Sequence, residues 1–347
     1  MPPAIVEVQG RKLKLSNLEK VLYPVAGFTK GQVIDYYVRI APVLVPHLAG
    51  RPLTLKRYPE GVDHEYFFEK NAPKHRPDWV KTAPIWSDSN HRTIHYTLAN
   101  DLATLVWIAN LASLELHPSL SLAADIETPT MMVFDLDPGP PANIVQCAQV
   151  GLWLRDIFDH FELRSFPKTS GSKGLQIYVP LNTETSYEQT KPFAHALARL
   201  LEQEHPELVV SDMKKVVRTN KIFVDWSQND QHKTTISIYS LRARERPTVS
   251  TPVTWDEVEQ ALTAKDPQRL VFEAKDVLAR VEKMGDLFEP VLKLRQKLPQ
   301  LAGLTVGGAE KEEEKEAVSI AAQAEPRSRS SKKRAARKKA APKRGKV

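Results

Sequence analysis

Asp135 and Asp137 end the apolar run in MMVFDLDPG, residues 131–139, where the alternation of a strand points both carboxylates to one side. A carboxylate is costly to bury without a partner, so two at the end of a buried strand call for something positive between them. Magnesium or manganese fits. These hard cations take oxygen ligands and keep open positions for substrate phosphates, which suits a pair of aspartates better than a full cage. Taken alone the D-x-D spacing is a weak signal, because Asp-Pro-Gly is also a common turn. Two further segments add to it. KTSGSKG, residues 168–174, sets small residues and a lysine between two strand-like runs. Its exposed N–H groups, hydroxyl and cation are the parts of a triphosphate cradle, although an ordinary glycine hairpin uses the same residues. The run IFVDW then places Asp225 among apolar neighbours on another expected strand, a third carboxylate to complete a metal site.

The elements that must position these residues follow from periodicity. An amphipathic helix is expected from about Thr29 to His47 with Thr29 as N-cap, then a strand through RPLTLKRYP and an aromatic loop or short strand at EYFFEKNAP. TIHYTLANDLATLVWIANLASLELHP reads as a strand running into an apolar helix. MMVFDLD is a strand, followed by a helix through ANIVQCAQVGLWLRDIFDHF in which Cys147 falls at a packing position. RSFPKTSGSK and GLQIYVPL are strand-like halves of a turn, and KPFAHALARLLEQEH is helical. VVRTNKIFVDWSQN and TTISIYSLRAR are two β-rich runs, and WDEVEQALTAKDP, after Thr254, is a final amphipathic helix. This order predicts an α/β (α+β) fold with an open, mixed, largely antiparallel sheet flanked by helices.

At 347 residues and 41% hydrophobic, the chain can bury a sizeable core as one large or two modest domains. No segment approaches the roughly 18 apolar residues of a membrane span, and no signal peptide is readable, so the expected location is the cytoplasm, with no membrane partner. The single cysteine excludes a disulfide framework and a Cys-rich zinc site. The net charge of +7 is concentrated: residues 327–347 hold eleven Lys and Arg and no acid, leaving about −4 for the rest. An acidic, small-residue stretch precedes them. Residues 304–347 are therefore expected to be a disordered acidic-then-basic tail, which as a tether to phosphate backbones would add affinity without base specificity. It would also associate the protein with the nucleoid.

The ordered set RPLTLKRYPEGVDHEYFFEKNAP, LASLELHP, MVFDLDP, KTSGSKGL, IFVDWSQN and SIYSLRAR resembles the polymerase domain of bacterial ligase D, a branch of the archaeo-eukaryotic primase superfamily, across about residues 10–290. The resemblance implies a two-lobed primase-polymerase fold, an N-terminal lobe to about residue 125 and a catalytic lobe over about 126–303. It also implies a DNA-repair nucleotidyltransferase with two metal ions, often manganese, that fills short gaps or extends ends and favours ribonucleotides. Carried over residue by residue, Asp135, Asp137 and Asp225 would bind the metals. Lys56 and Arg57 would contact the incoming nucleotide, Phe67 and Phe68 would stack on nucleotide or template bases, and His117 would lie near the sugar. Ser170, Lys173, Arg218 and Arg242 fall where the family places triphosphate ligands, and Lys20 and Lys30 where it places a pocket for a DNA 5′-phosphate.

One position departs from the family pattern. SGSKGLH usually stands where this chain has SGSKGLQ, so Gln176 can hydrogen-bond but cannot become a cation. The length leaves no room for ligase or phosphoesterase domains, so the chain resembles stand-alone relatives. Implied partners are gapped or broken 5′-phosphorylated DNA, NTP or dNTP, and a separate ATP-dependent DNA ligase and Ku. Two other classes use the same residues: a non-catalytic DNA-end-binding module built on Lys20, Lys30 and the tail, and a metal phosphoesterase. The triphosphate ligands argue against the last.

Overall fold

A computed structural model describes residues 4–299. The tail expected over 304–347 lies outside the described residues. Two five-stranded sheets organise the fold. In the first, Leu53–Arg57 is central: it pairs antiparallel with Phe67–Glu69, Ser113–Pro118 and, at one rung, Arg92–Thr97, which in turn pairs with Thr82–Ser87. In the second the order is Phe166–Thr169, Leu175–Pro180, Met131–Pro138, Ile222–Asp225, Val209–Val210, antiparallel except for the last pair. A mixed, largely antiparallel architecture flanked by helices is therefore present.

Each sheet has its own core. Helix α1 (Lys30–Leu48) begins at Thr29, whose hydroxyl accepts from Gln32 N while Gln32 Oε1 accepts from Thr29 N, a capping box. Its Val33, Tyr37, Ile40, Leu44 and Leu48 recur at helical spacing and are buried with α2 (Leu102–Asn110) against the first sheet. Helices α3 (Ile144–His160) and α4 (Tyr187–Glu204) cover the second sheet, meeting Phe134, Leu136, Ile177 and Val224. Cys147 is fully buried there, so packing is its place. The even-numbered apolar residues of Met131–Pro138 thus face the helices, which frees Asp135 and Asp137 to face the other way.

Several expectations require correction. Residues 234–244 form no strand: Tyr239 adopts a left-handed φ of 58°, and the amides of Thr235 and Ser237 bond Pro118 and Leu116 in the first sheet, while those of Tyr239 and Arg242 bond Ser250 and Thr248. The β-branched residues there reflect burial in a seam between elements. Val216–Arg218 belongs to a 3-10 turn, Lys215–Arg218, which precedes the Ile222–Asp225 strand. Helix α5 (Trp255–Ala264), capped by Thr254, is not final: α6 (Ala274–Met284) and α7 (Glu289–Lys293) follow. Val277, Leu278, Phe288 and Val291 join the first core, so that core is not closed by the first 125 residues alone. No helix among the described residues is long and apolar enough to cross a membrane.

Candidate active site

One rung crosses four strands of the second sheet. Lys168 stands opposite Gln176, Gln176 opposite Asp135, and Asp135 opposite Asp225. Directly opposed residues share a face, and Asp137, two residues on, shares it too. The strand registers therefore bring three distant carboxylates together. Burial, then the charges of Asp137 and Asp225, push the Asp135 carboxyl up to about 8. Burial and Asp225 also raise Asp137, while Arg218 and Arg242 pull it down. Asp135 Oδ1 is buried with no hydrogen-bond partner. A cation is the missing partner that fits an orphaned carboxylate oxygen among like charges.

The three acids share a face without closing on one point. Among the described residues no three His, Cys, Asp or Glu are gathered so as to hold a metal ion. Asp225 is turned into local caps: Oδ1 accepts from Ser227 N at 3.0 Å and Ser227 Oγ at 2.5 Å, and Oδ2 from Gln228 Nε2 at 2.8 Å. Asp135 and Asp137 are free of such ties, and Asp225 must exchange its caps to join them. All the candidate donors are hard oxygens, the set that magnesium and manganese take.

Close backbone approach brings the loop of residues 168–174 and Arg218 to the strand that carries Asp135 and Asp137. A Cβ on Gly174 would lie 2.2 Å from Leu136 O, and one on Gly139 would lie 1.7 Å from Arg218 O, so neither position admits a side chain. In the loop, Ser170 Oγ accepts from Gly174 N at 3.1 Å, which leaves its O–H to donate outward. Lys173 is exposed. Arg242 Nη1 donates to Ser170 O at 2.6 Å, tying the arginine to the loop. The Arg218 guanidinium lies 3.6 Å from the Phe223 ring centroid and bonds Met213 O, with a buried Nε that has no partner. Gln176 is 1% exposed, donates to Thr235 Oγ1 at 3.2 Å and stands directly opposite Asp135. Its amide lowers the Asp135 carboxyl against burial without adding charge.

The first sheet presents a second constellation. Lys56 is paired with Phe68 on one side and Glu115 on the other, and Thr54 is paired with His117, so Lys56, Phe68, Glu115 and His117 share a face. Glu115, 2% exposed, accepts from Arg242 Nε at 3.2 Å and Ala243 N at 3.0 Å, meets His117 Nε2 at 3.0 Å, and has Lys56 Nζ at 3.9 Å. The Lys56 ammonium lies 4.0 Å from the Tyr66 ring centroid. Alternation separates Arg57 from Lys56. Arg57 bonds Glu69 at 2.9 Å and Leu111 O at 3.0 Å, with its guanidinium over Phe67 at 5.0 Å, so the structure does not bring Arg57 and Phe67 to the Lys56 face.

Arg57 instead lies near enough to Lys30 to affect its charge. Burial, then Lys20 and Arg57, lower the Lys30 ammonium to about 8. Lys30 donates to Ser16 O at 2.7 Å, and Lys20 pairs with Glu60 at 2.6 Å. Lys20, Lys30 and Arg57 thus form a basic cluster apart from the acids.

Three residues of this surface escaped the sequence reading. Glu115 alternates with His117 within the apolar strand SLELHP, and a charge at such a position was the available signal. Lys168 is fully buried, bonding Ser250 Oγ at 2.6 Å, and only its place beside the glycine turn hinted at a role. Gln228 follows Asp225 by one helical turn, a spacing that sequence alone does not single out.

The chain is similar to known proteins in sequence and fold. Residues 29–288 match the family model described as LigD, primase-polymerase domain. The chain is 43% identical over 282 residues to the multifunctional non-homologous end joining protein LigD of Mycolicibacterium smegmatis, covering 81% of this chain and 36% of that protein. It is 33% identical over 275 residues to the bifunctional non-homologous end joining protein LigD of Bacillus subtilis, covering 79% and 43%. The chain therefore spans less than half the length of these relatives. Among solved structures, the polymerase domain from Mycobacterium tuberculosis ligase D in complex with DNA matches with a TM-score of 0.75 at 40% identity, over 82% of this chain and 99% of that one. With both sequence and fold matched over this extent, the chain belongs to the LigD primase-polymerase domain family.

Proposed function

We propose that this protein is a metal-dependent DNA nucleotidyltransferase that fills short gaps or extends broken ends in DNA repair, with ribonucleotides readily accepted. The observation that supports this most is the convergence of Asp135, Asp137 and Asp225 on one sheet face, with Asp135 Oδ1 lacking a partner and Arg218 and Arg242 close by. Asp135, Asp137 and Asp225 would hold Mn²⁺ or Mg²⁺, which when bound supplies activation of a primer 3′-hydroxyl and neutralisation of triphosphate charge. The side chains do the positioning. Lys173, Ser170, Arg218 and Arg242 converge from the loop and the seam to bind a triphosphate, with Arg forks suited to phosphate oxygens. Phe68, 55% exposed, offers a stacking face worth about 1–3 kcal/mol per base. His117 stands beside it for the sugar, their ring centroids 6.2 Å apart.

Arg57 and Phe67, which lie off the Lys56 face, would serve the DNA side with Lys20 and Lys30 rather than the nucleotide. There a 5′-phosphate would compete with Glu60 for Lys20. The relatives' part in non-homologous end joining makes end joining the proposed pathway, with Ku and a separate ligase as proposed partners.

The capped state of Asp225 favours one other reading, a DNA-end-binding module without catalysis. A single assay separates the two: a gapped, 5′-phosphorylated duplex with labelled primer, Mn²⁺ and each nucleotide in turn. Extension that Asp137→Ala abolishes, with DNA binding retained, supports the polymerase. Retarded but unextended primer supports the binding module.

A further inference from the structure

We propose that Glu115 is a positioning residue that locks His117 as an Nε2–H donor, leaving Nδ1 as a bare acceptor for a sugar hydroxyl, and holds Lys56 and Arg242 in the same arrangement. This rests on the nucleotide-binding reading above and adds to it the group that sets the sugar contact.

The chemistry follows from the partners. Burial opposes ionisation of Glu115, but the hydrogen bond with His117 and the charges of Arg242 and Lys56 outweigh it and hold the carboxyl well below its usual range. An ionised carboxylate only accepts. The nitrogen facing it at 3.0 Å, His117 Nε2, must therefore carry the hydrogen. Burial lowers the His117 imidazole against the pull of Glu115, with Arg242 and Lys56 lowering it further, so the ring is neutral and Nδ1 carries no proton. Among the described residues Nδ1 has no hydrogen-bond partner. His117 stands on the strand face that also presents Lys56 and Phe68, paired across the strands with Thr54. A neutral acceptor nitrogen recognises a donor, and a ribose hydroxyl is a donor that a deoxyribose lacks at that carbon. Sites that bond a hydroxyl discriminate strongly against analogues without it.

Glu115 also joins the sugar contact to the phosphate contact. Its second oxygen holds Arg242 Nε, and Arg242 Nη1 holds Ser170 O in the phosphate loop. One carboxylate thus sets the spacing between the groups for sugar and triphosphate.

The test uses the full chain. Histidine ¹⁵N NMR, with His117→Gln for assignment, reads the tautomer without catalysis: Nε2–H is expected, and Nδ1–H or an imidazolium at pH 7.5 overturns the proposal. Single-nucleotide extension on the gapped duplex is then compared for a ribonucleotide, its 2′-deoxy and its 3′-deoxy analogue, which tells which hydroxyl is read. Glu115→Gln should raise the ribonucleotide KM by about tenfold or more, with a much smaller fall in kcat. It should also remove most of the discrimination against one deoxy analogue, and adding it to His117→Ala should remove no more. Unchanged KM and discrimination overturn the proposal, as does an equal rise for all three nucleotides with a lowered melting temperature, which is the mark of a purely structural role. Should Glu115→Gln fail to fold, the wild-type tautomer decides. A wild-type chain that extends nothing refutes the nucleotide reading, while the NMR result still judges the part given to Glu115.

Discussion

In the sheet built on Met131–Pro138, three carboxylates share a face and Asp135 Oδ1 is buried without a partner. In the sheet built on Leu53–Arg57, one carboxylate, Glu115, is buried with Arg242, His117, Lys56 and a backbone amide around it. Both regions bury acid on β-strands, yet they treat its charge in opposite ways. The acid rung is only partly compensated, by Arg218 and Arg242 at Asp137 and by the Ser227 and Gln228 caps at Asp225, and the repulsion left at Asp135 would suit a cation. The Glu115 hub is compensated in advance, so under the proposed function its cations would already be placed when a nucleotide arrives. One region would have its charge completed from outside, and the other would be complete before binding.

Substitutions sharpen that contrast, most strongly in the acid rung. Asp137→Ala should lower primer extension by at least about 10³-fold, because the three acids act as a unit, while the Kd for gapped DNA stays within about twofold. Filter binding beside extension rates would check it. Glu115→Ala should instead show its largest effect in stability, costing about 3 kcal/mol in a denaturant melt, since it leaves cations around an empty buried site. Equal stability losses for the two variants would erase the distinction between the regions.

A third region sets a scale for charge concentrated in sequence. Deleting residues 305–347 removes eleven Lys and Arg at 327–347 and should weaken DNA binding about tenfold near 0.1 M salt, with a shallower log Kd against log salt slope. An unchanged slope would take the tail out of DNA binding. The smallest effect concerns Lys30. With its ammonium lowered to about 8 by burial, Lys20 and Arg57, it must take up a proton to bind a phosphate above that pH. The preference for a 5′-phosphate over a 5′-hydroxyl should therefore hold below pH 8 and fall, by at most about tenfold per pH unit, above it. Competition titrations at pH 7 and 9 measure this, and a flat profile would remove Lys30 from the pocket.

How much of this could be read from the sequence differs by level. Capped, strongly periodic elements such as α1 with Thr29 or α5 with Thr254 were plain, because cap and apolar stripe are local. The acids were readable as candidates, since D-x-D on a strand fixes a common face. Their rung with Gln176 and Lys168 was not, because register across four strands depends on pairings far apart in sequence. Residues 234–244 misled for a related reason: β-branched composition reports burial, while Tyr239 turns left-handed to bridge two elements. Lys56 and Arg57 look like one basic pair in sequence, yet strand alternation sends them to different faces. Glu115 went unseen because its partners, Lys56 and Arg242, lie 59 residues before it and 127 after it.

The acid rung can be tested without any nucleotide. Thermal unfolding of the wild-type chain and of Asp135→Asn, each in EDTA and in millimolar Mn²⁺, reads repulsion and metal binding together. Asp135→Asn is expected to melt a few degrees above wild type in EDTA, since it relieves the repulsion, and Mn²⁺ is expected to raise the wild-type transition but not the variant's. A variant that melts at or below the wild type and gains as much from Mn²⁺ would contradict this expectation.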